Sequence, residues 1–296
     1  MISPVPLRLP RMRPEPNRVY ACRRRTANSA NGVILPSGTP NDQNDRTMST
    51  AGEIAKAAGA AALIGGAATL VYFYASLHPE SQIFGRALVA PPVPGEIALT
   101  FDDGPNPSWT PQLLDLLARY NVRATFFLIG QFAANQKELA RRTHEAGHLI
   151  GNHTWTHPNL SRTDPETTRK ELSDTQDELQ QIIGAQVRFF RPPFGLRRPA
   201  TFTVARSLGL IPVTWNVIGN DWTDLSAEGI AERVRKLSAR NQQRGKATNL
   251  VLHDGSHRTP AADRSRTIAA VGQLLPEFVQ TRRFVTLDAW EAEGHA

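Results

Sequence analysis

The sequence predicts an α/β domain on a parallel sheet, preceded by one apolar helix and a disordered basic arm. Three observations predict it. After residue 95, short apolar runs alternate with amphipathic stretches, the pattern of repeated β/α units whose sheet closes as a barrel or stays open. Ahead of that domain, residues 57–77 carry no charge. Residues 1–50 hold seven prolines and eight arginines without a sustained hydrophobic period, a composition that does not fold.

Composition narrows the function classes. The 296 residues are 40% hydrophobic and 21% charged, enough to fill a core, which excludes wholesale disorder, collagen and a polytopic membrane protein. The single cysteine, Cys22, closes no internal disulfide and excludes a cysteine-rich zinc site. The net charge of +7 is uneven: the first fifty residues hold eight bases against three acids, leaving 26 bases and 24 acids for the rest. The folded part is therefore nearly neutral, and no nucleic-acid partner is expected. Met48, just ahead of the apolar run, is the favoured alternative start, in which case the arm is not translated.

In chain order, the run at 57–77 has 21 residues, long enough to cross a bilayer core. Tyr72 and Tyr74 lie near its end, where amphipathic rings favour the interface. Arg46, Lys56 and the arginine arm precede it and Arg86 follows. The positive-inside rule then predicts an uncleaved, single-pass signal anchor with residues 78–296 outside the cytoplasm, periplasmic or at the cell surface. A cleaved secretory signal and a buried Ala/Gly-rich helix are the alternatives. Residues 78–95, with Pro79, Pro91, Pro92 and Pro94, read as a linker to a domain at 96–290. Strands are expected at 97–101, 124–129, 148–152, 188–191, 211–217, 249–253 and 284–287. Helices are expected at 111–120, 136–146, 164–183, 200–208, 227–240 and 262–280, with Ser226 as an N-cap ahead of Glu228 in the first turn.

Four polar clusters fall at or just after expected strand ends, where active sites of β/α barrels collect. In T-F-D-D-G-P, Asp102 and Asp103 end the first strand. Neighbouring side chains on extended backbone point apart, so one acid can bind a metal while the other serves as a base; an Asx turn explains the pair equally well. In H-T-W-T-H, His153 and His157 stand at i and i+4, on one face of a helical turn, where both can reach one cation. With Asp103 they supply the three protein ligands of a catalytic zinc site, and Asp102 is left as the base. Arg191 precedes the stiff P-P-F-G turn and suits a carboxylate partner. His253 ends the apolar run L-V-L-H-D-G, as general acid, metal ligand or satisfied core histidine.

The ordered set T-F-D-D-G-P, H-T-W-T-H, R-P-P-F-G, N-D-W at 220–222 and L-V-L-H-D-G resembles the polysaccharide deacetylase family, also called NodB-homology or carbohydrate esterase family 4. The resemblance runs from about residue 94 to about residue 290. It implies a distorted (β/α)7-type barrel and one divalent metal, zinc first, with cobalt, nickel or manganese fitting the same N/O donors. By the same resemblance Asp102 is the base, Asp103, His153 and His157 the metal ligands, and Arg191 the residue holding the base. His253 is then the acid, Asp221 its orienting carboxylate, and Trp222 the wall beside the acetyl methyl. Phe194 stands where tyrosine is commoner and lends its backbone N–H to the oxyanion. Ile218 replaces an aspartate that is frequent there, which touches substrate preference more than catalysis. The implied activity is removal of N-acetyl groups from N-acetylglucosamine-type units of peptidoglycan, a chitin-like oligosaccharide or an exopolysaccharide. Hydrolysis of another C–N bond on the same fold, and a catalytically silent sugar-binding domain, are the competing readings.

Overall fold

A computed structural model describes residues 42–292 and 294. Residues 1–41, with Cys22 and most of the expected arm, lie outside the described residues. The chain divides into two units, Met1–Ala58 and Gly59–Ala296.

Helix α1 spans Asp42–Leu77. Residues 42–50, expected as the end of a disordered arm, are helical. No proline falls between Pro40 and Pro79, so nothing interrupts the hydrogen-bond ladder. Ala58–Leu77 is long and apolar enough to cross a membrane, and most of it is exposed. Leu63, Ile64, Leu70 and Phe73 are exposed.

The domain then runs β1 (Glu96–Gly104), α2 (Thr110–Arg119), β2 (Thr125–Leu128), α3 (Gly130–Asn135), α4 (Lys137–Glu145), β3 (Leu149–Asn152) and α5 (Pro165–Ile183). It continues β4 (Phe189–Phe190), a 3-10 turn at Pro193–Gly195, α6 (Pro199–Ser207), β5 (Ile211–Pro212) and β6 (Val217–Ile218). The last elements are α7 (Ala227–Gln243), β7 (Thr248–His253), α8 (Ser265–Thr281), β8 (Arg283–Val285) and α9 (Leu287–Ala292). All pairings are parallel, in the order β5-β4-β3-β2-β1-β7-β6, with β8 beside the start of β1. This curled parallel sheet with helices outside it is the distorted barrel the sequence predicts. The apolar run at 211–217 was expected as one strand. It splits into β5 and β6 because the chain crosses there from one sheet edge to the other. The seam is knitted by the Asn249 amide on the Thr214 carbonyl (2.8 Å) and the Asn249 N–H on Asn216 Oδ1 (2.9 Å). Helix α3, only six residues long, is too short to show a helical period.

Alternation along β1 sorts its side chains. Ile97, Leu99 and Phe101 pack outward under Leu113 and Leu117 of α2 and Val271 and Leu274 of α8. Ala98 faces inward with Phe127, Phe189 and Trp290, so the floor of the barrel is apolar. Above it Thr100 and Asp102 continue the inward row. Caps fix the helix starts: Asp164 accepts the Thr167 N–H (2.9 Å) and Ser226 the Gly229 N–H (3.1 Å).

Residues 78–95 lie fastened along this domain. The buried Arg197 donates to the carbonyls of His78 (2.6 Å), Ser81 (3.1 Å) and Gly195 (2.9 Å). Burial pushes its pKa down to about 10. Thr214 donates to the Pro79 carbonyl, Leu88 bridges Val213, and Ala247 and Arg283 donate to the carbonyls of Pro91 and Gly95.

Candidate active site

The polar residues stand at the C-terminal ends of β1, β3, β4 and β7. Asp103 adopts left-handed backbone (φ 71°), and the β1–β2 register shifts between Asp102 and Gly104. This break in alternation overrides the expectation that the two acids point apart. His153 Nε2 lies 3.9 Å from Asp102 Oδ2 and 3.5 Å from Asp103 Oδ1. The close approach of the next loop demands glycine at 255, where a Cβ would overlap the Asp103 carbonyl.

His153 and His157 do not share a helical turn, as their spacing suggested. They flank a loop after β3 with left-handed backbone at Thr154 (φ 68°) and His157 (φ 61°). Glu171 of α5 shapes it: one carboxylate oxygen accepts the N–H groups of Trp155 and Thr156, each at 2.8 Å, and the other accepts the Thr156 hydroxyl at 2.7 Å. His157 Nε2 is thereby brought 3.1 Å from Asp103 Oδ1.

Asp103, His153 and His157 offer ligand atoms all within 4.8 Å of one another. Asp103 Oδ1 is buried with no hydrogen-bond partner among the described residues. His153 Nδ1 meets the Arg191 carbonyl at 2.8 Å, which directs Nε2 into the cluster. Burial alone would raise the Asp103 pKa, but the facing imidazoles of His153, His157 and His257 outweigh it and hold the carboxyl well below the usual range. Two imidazole nitrogens and one ionised, unspent carboxylate oxygen fit a divalent cation.

Arg191, fully buried, fixes the other acid. Its Nη1 donates to Asp102 Oδ1 (2.8 Å) and Thr100 Oγ1 (2.6 Å), its Nη2 to Asn249 Oδ1 (3.2 Å), and its plane lies 4.2 Å over Phe127. Asp102 and His253 are register partners on β1 and β7. His253 Nδ1 sits 2.8 Å from Asp221 Oδ1, while Asp221 Oδ2 accepts the His253 N–H (2.8 Å) and the Thr267 hydroxyl (2.9 Å). Burial opposes charge on the ring, but the Asp221 carboxylate, joined by Asp103 and Asp102, pushes the His253 pKa up to about 9.

Asp102, Asp103, His153, His157 and His253 line one cleft of about 610 Å³, walled by the half-exposed Phe194 and Trp222, with Trp215 and Ile218 also in its lining. Trp222 stands edge-on to His253 at 5.2 Å. Phe194 is left-handed (φ 59°) within its turn and stands edge-on to His157 at 4.6 Å. Several neighbours escaped the sequence reading. Asn249 interrupts a buried apolar strand, which was a signal. Asp254 is fully buried, accepts the Thr110 hydroxyl, and has its pKa pushed to about 7 by burial and the nearby Asp103 charge. His257, a lone histidine in a polar loop, gave no signal.

A family model described as polysaccharide deacetylase matches residues 90–213. A peptidoglycan-N-acetylglucosamine deacetylase of Bacillus cereus is 34% identical over 205 residues, 69% of this chain and 71% of the relative. The chain belongs to the polysaccharide deacetylase family. A chitooligosaccharide deacetylase of Sinorhizobium fredii is 36% identical over 186 residues, 61% of this deacetylase and 84% of the relative. A solved family 4 acetyl xylan esterase from Clostridium thermocellum, in complex with a cobalt ion, matches with a TM-score of 0.57 at 32% identity, over 67% of this chain and 92% of that one. In this polysaccharide deacetylase His253 lies beyond the segment the family model matches, yet lines the same cleft as Asp102 and Asp103, and the buried Asp221, also beyond that segment, stands behind it.

Proposed function

We propose that the protein removes N-acetyl groups from N-acetylglucosamine-type units of an envelope polysaccharide, outside the membrane that α1 spans. One observation carries this reading: Asp102, the Asp103–His153–His157 group and the Asp221-backed His253 all meet at one cleft.

Asp103, His153 and His157 would hold the metal, zinc being the first choice for this donor set. When bound, such an ion acts as a Lewis acid and lowers the pKa of water. Asp102, its Oδ1 tied to Arg191, takes the proton of the attacking water on its other oxygen. The hydroxide adds to the acetyl carbonyl carbon. The Phe194 N–H meets the oxyanion, a contact worth about 3–4 kcal/mol where such donors have been removed. His253, kept protonated by Asp221, donates to the departing nitrogen as the C–N bond breaks. Acetate and a free amino sugar leave. Trp222 is the wall beside the acetyl methyl. A sugar-binding domain would need neither a paired base nor a protonated His253.

For α1, the exposure of Leu63, Ile64, Leu70 and Phe73 supports a membrane anchor over a buried core helix. Acetate release from a panel of N-acetylated peptidoglycan, chitooligosaccharide and exopolysaccharide fragments, with and without a chelator, tests the reaction. Chelator-insensitive release, or no release from any of them, would sink the proposal.

A further inference from the structure

The two histidines of the candidate metal group are held in different ways. A metal-binding imidazole is ordinarily oriented by a hydrogen bond at its other nitrogen. His153 has one, at the Arg191 carbonyl. His157 does not: its Nδ1 is buried with no partner among the described residues. Rings surround it instead. His153 lies 4.9 Å away and Phe194 4.6 Å away, both edge-on, while His257 lies parallel at 4.5 Å with 12° between planes. Only the parallel contact fixes the plane of the ring by face-to-face packing. His257 also reaches the carboxylate. Its backbone N–H is 3.3 Å from Asp103 Oδ2 and its Nδ1 3.7 Å from the same oxygen, so Oδ1 is left to the two histidines. This contact comes from the loop between β7 and α8, which the proposed reaction does not otherwise use.

We propose that His257 is a positioning residue for the metal site, setting the plane of His157 by stacking and turning one oxygen of Asp103 out of the ligand cluster. The inference rests on the reading that Asp103, His153 and His157 hold the metal. The stack is a property of an aromatic plane, so it separates from the nitrogen chemistry of the ring. The backbone N–H survives any side-chain change, so Ala and Leu substitutions remove the stack on His157 together with the 3.7 Å approach of Nδ1 to Asp103, while Phe removes the approach alone.

The test is cobalt affinity of the full chain in detergent, measured by chelator competition, with the d–d absorption of the bound ion as a readout of ligand geometry. His257→Ala removes the ring and His257→Leu keeps bulk without a plane. Both should weaken cobalt binding about 10- to 100-fold, the usual cost of losing an outer partner, and alter the spectrum. His257→Phe keeps the plane and should stay within about threefold of the wild type with an unchanged spectrum. The loop is partly exposed, so the metal-free variants should melt close to the wild type; His257→Leu guards against a packing defect in the alanine variant. Ala and Leu variants that bind like the wild type overturn the inference, as does a Phe variant as weak as the Leu one. A wild-type chain that binds no divalent ion overturns the metal assignment itself, and this inference with it.

Discussion

Asp221→Asn should move the alkaline limit of the reaction while leaving its acid side in place. The substitution keeps the shape of the group that meets His253 Nδ1 at 2.8 Å and its N–H at 2.8 Å, but removes its charge. The His253 pKa of about 9, against an ordinary 6.5, corresponds to a preference for the protonated ring on the order of 3 kcal/mol. Burial works against that preference, and Asp221 is the largest source of it. Without the carboxylate the ring should titrate at or below its ordinary value. The sign follows from the role: an acid must carry its proton, so turnover is lost as pH rises through the His253 pKa. At pH 8 a ring titrating near 9 is about nine-tenths protonated and one titrating near 6.5 about 3%, so kcat/KM should fall roughly 30-fold. At pH 6 the loss should be only a few-fold. Stability follows the same sign. The raised pKa stabilises the folded chain fully below about 6.5 and loses that contribution between there and about 9; the Asn variant lacks it. The assay is acetate release against pH from about 5 to 10 at saturating metal, beside an NMR titration of the His253 ring. An alkaline limb that stays in place, or a loss of equal size at every pH, would refute the pairing as the source of acidity.

Asp102→Asn should keep close to one metal per chain and lose at least about 100-fold in kcat, the low end for a lost general base. Asp103→Asn should lose metal first and recover part of its rate in excess metal; identical behaviour of the two variants contradicts the division of labour. His157→Ala should lose most of its metal by elemental analysis. A chain beginning at residue 90 lacks the His78 and Ser81 carbonyls that hold Arg197. It should be less stable than one beginning at residue 75, by about 1.5–3 kcal/mol for each charge-assisted hydrogen bond lost, with the Gly195 carbonyl still held. Adding Arg197→Met should recover part of the melting temperature. A reporter fused after residue 90 should mature only outside the cytoplasm; activity confined to the cytoplasm would reverse the proposed topology.

The barrel was readable because its strands are short apolar runs closed by polar residues, and Asp102, Asp103 and His253 stand at those closures. His153 and His157 were found through a spacing that signals a helix, although Glu171 folds them into a loop. No local pattern reports a carboxylate arriving from a distant helix. Alternation failed at Asp103 because a left-handed residue reverses the side to which its neighbour points. The seam between β5 and β6 was hidden because an apolar run looks alike whether it follows one sheet edge or crosses between two. Arg197 and His257 were missed for a shared reason. Each sits in polar sequence, and its importance lies in partners more than a hundred residues away in one case and about 150 in the other.

Arg197 has a consequence for where the enzyme can work. Eighteen free residues would form a leash about 23 Å long on average, letting a tethered domain tumble and sweep a volume above the bilayer. Here the segment from His78 to Gly95 is tied down at both ends and in between, and the tie at Arg197 also grips Gly195, next to the cleft-lining Phe194. In the anchored orientation proposed above, that fastening would keep the cleft close to the membrane, and an enzyme so held would modify the strands that pass within its reach rather than search for its polymer.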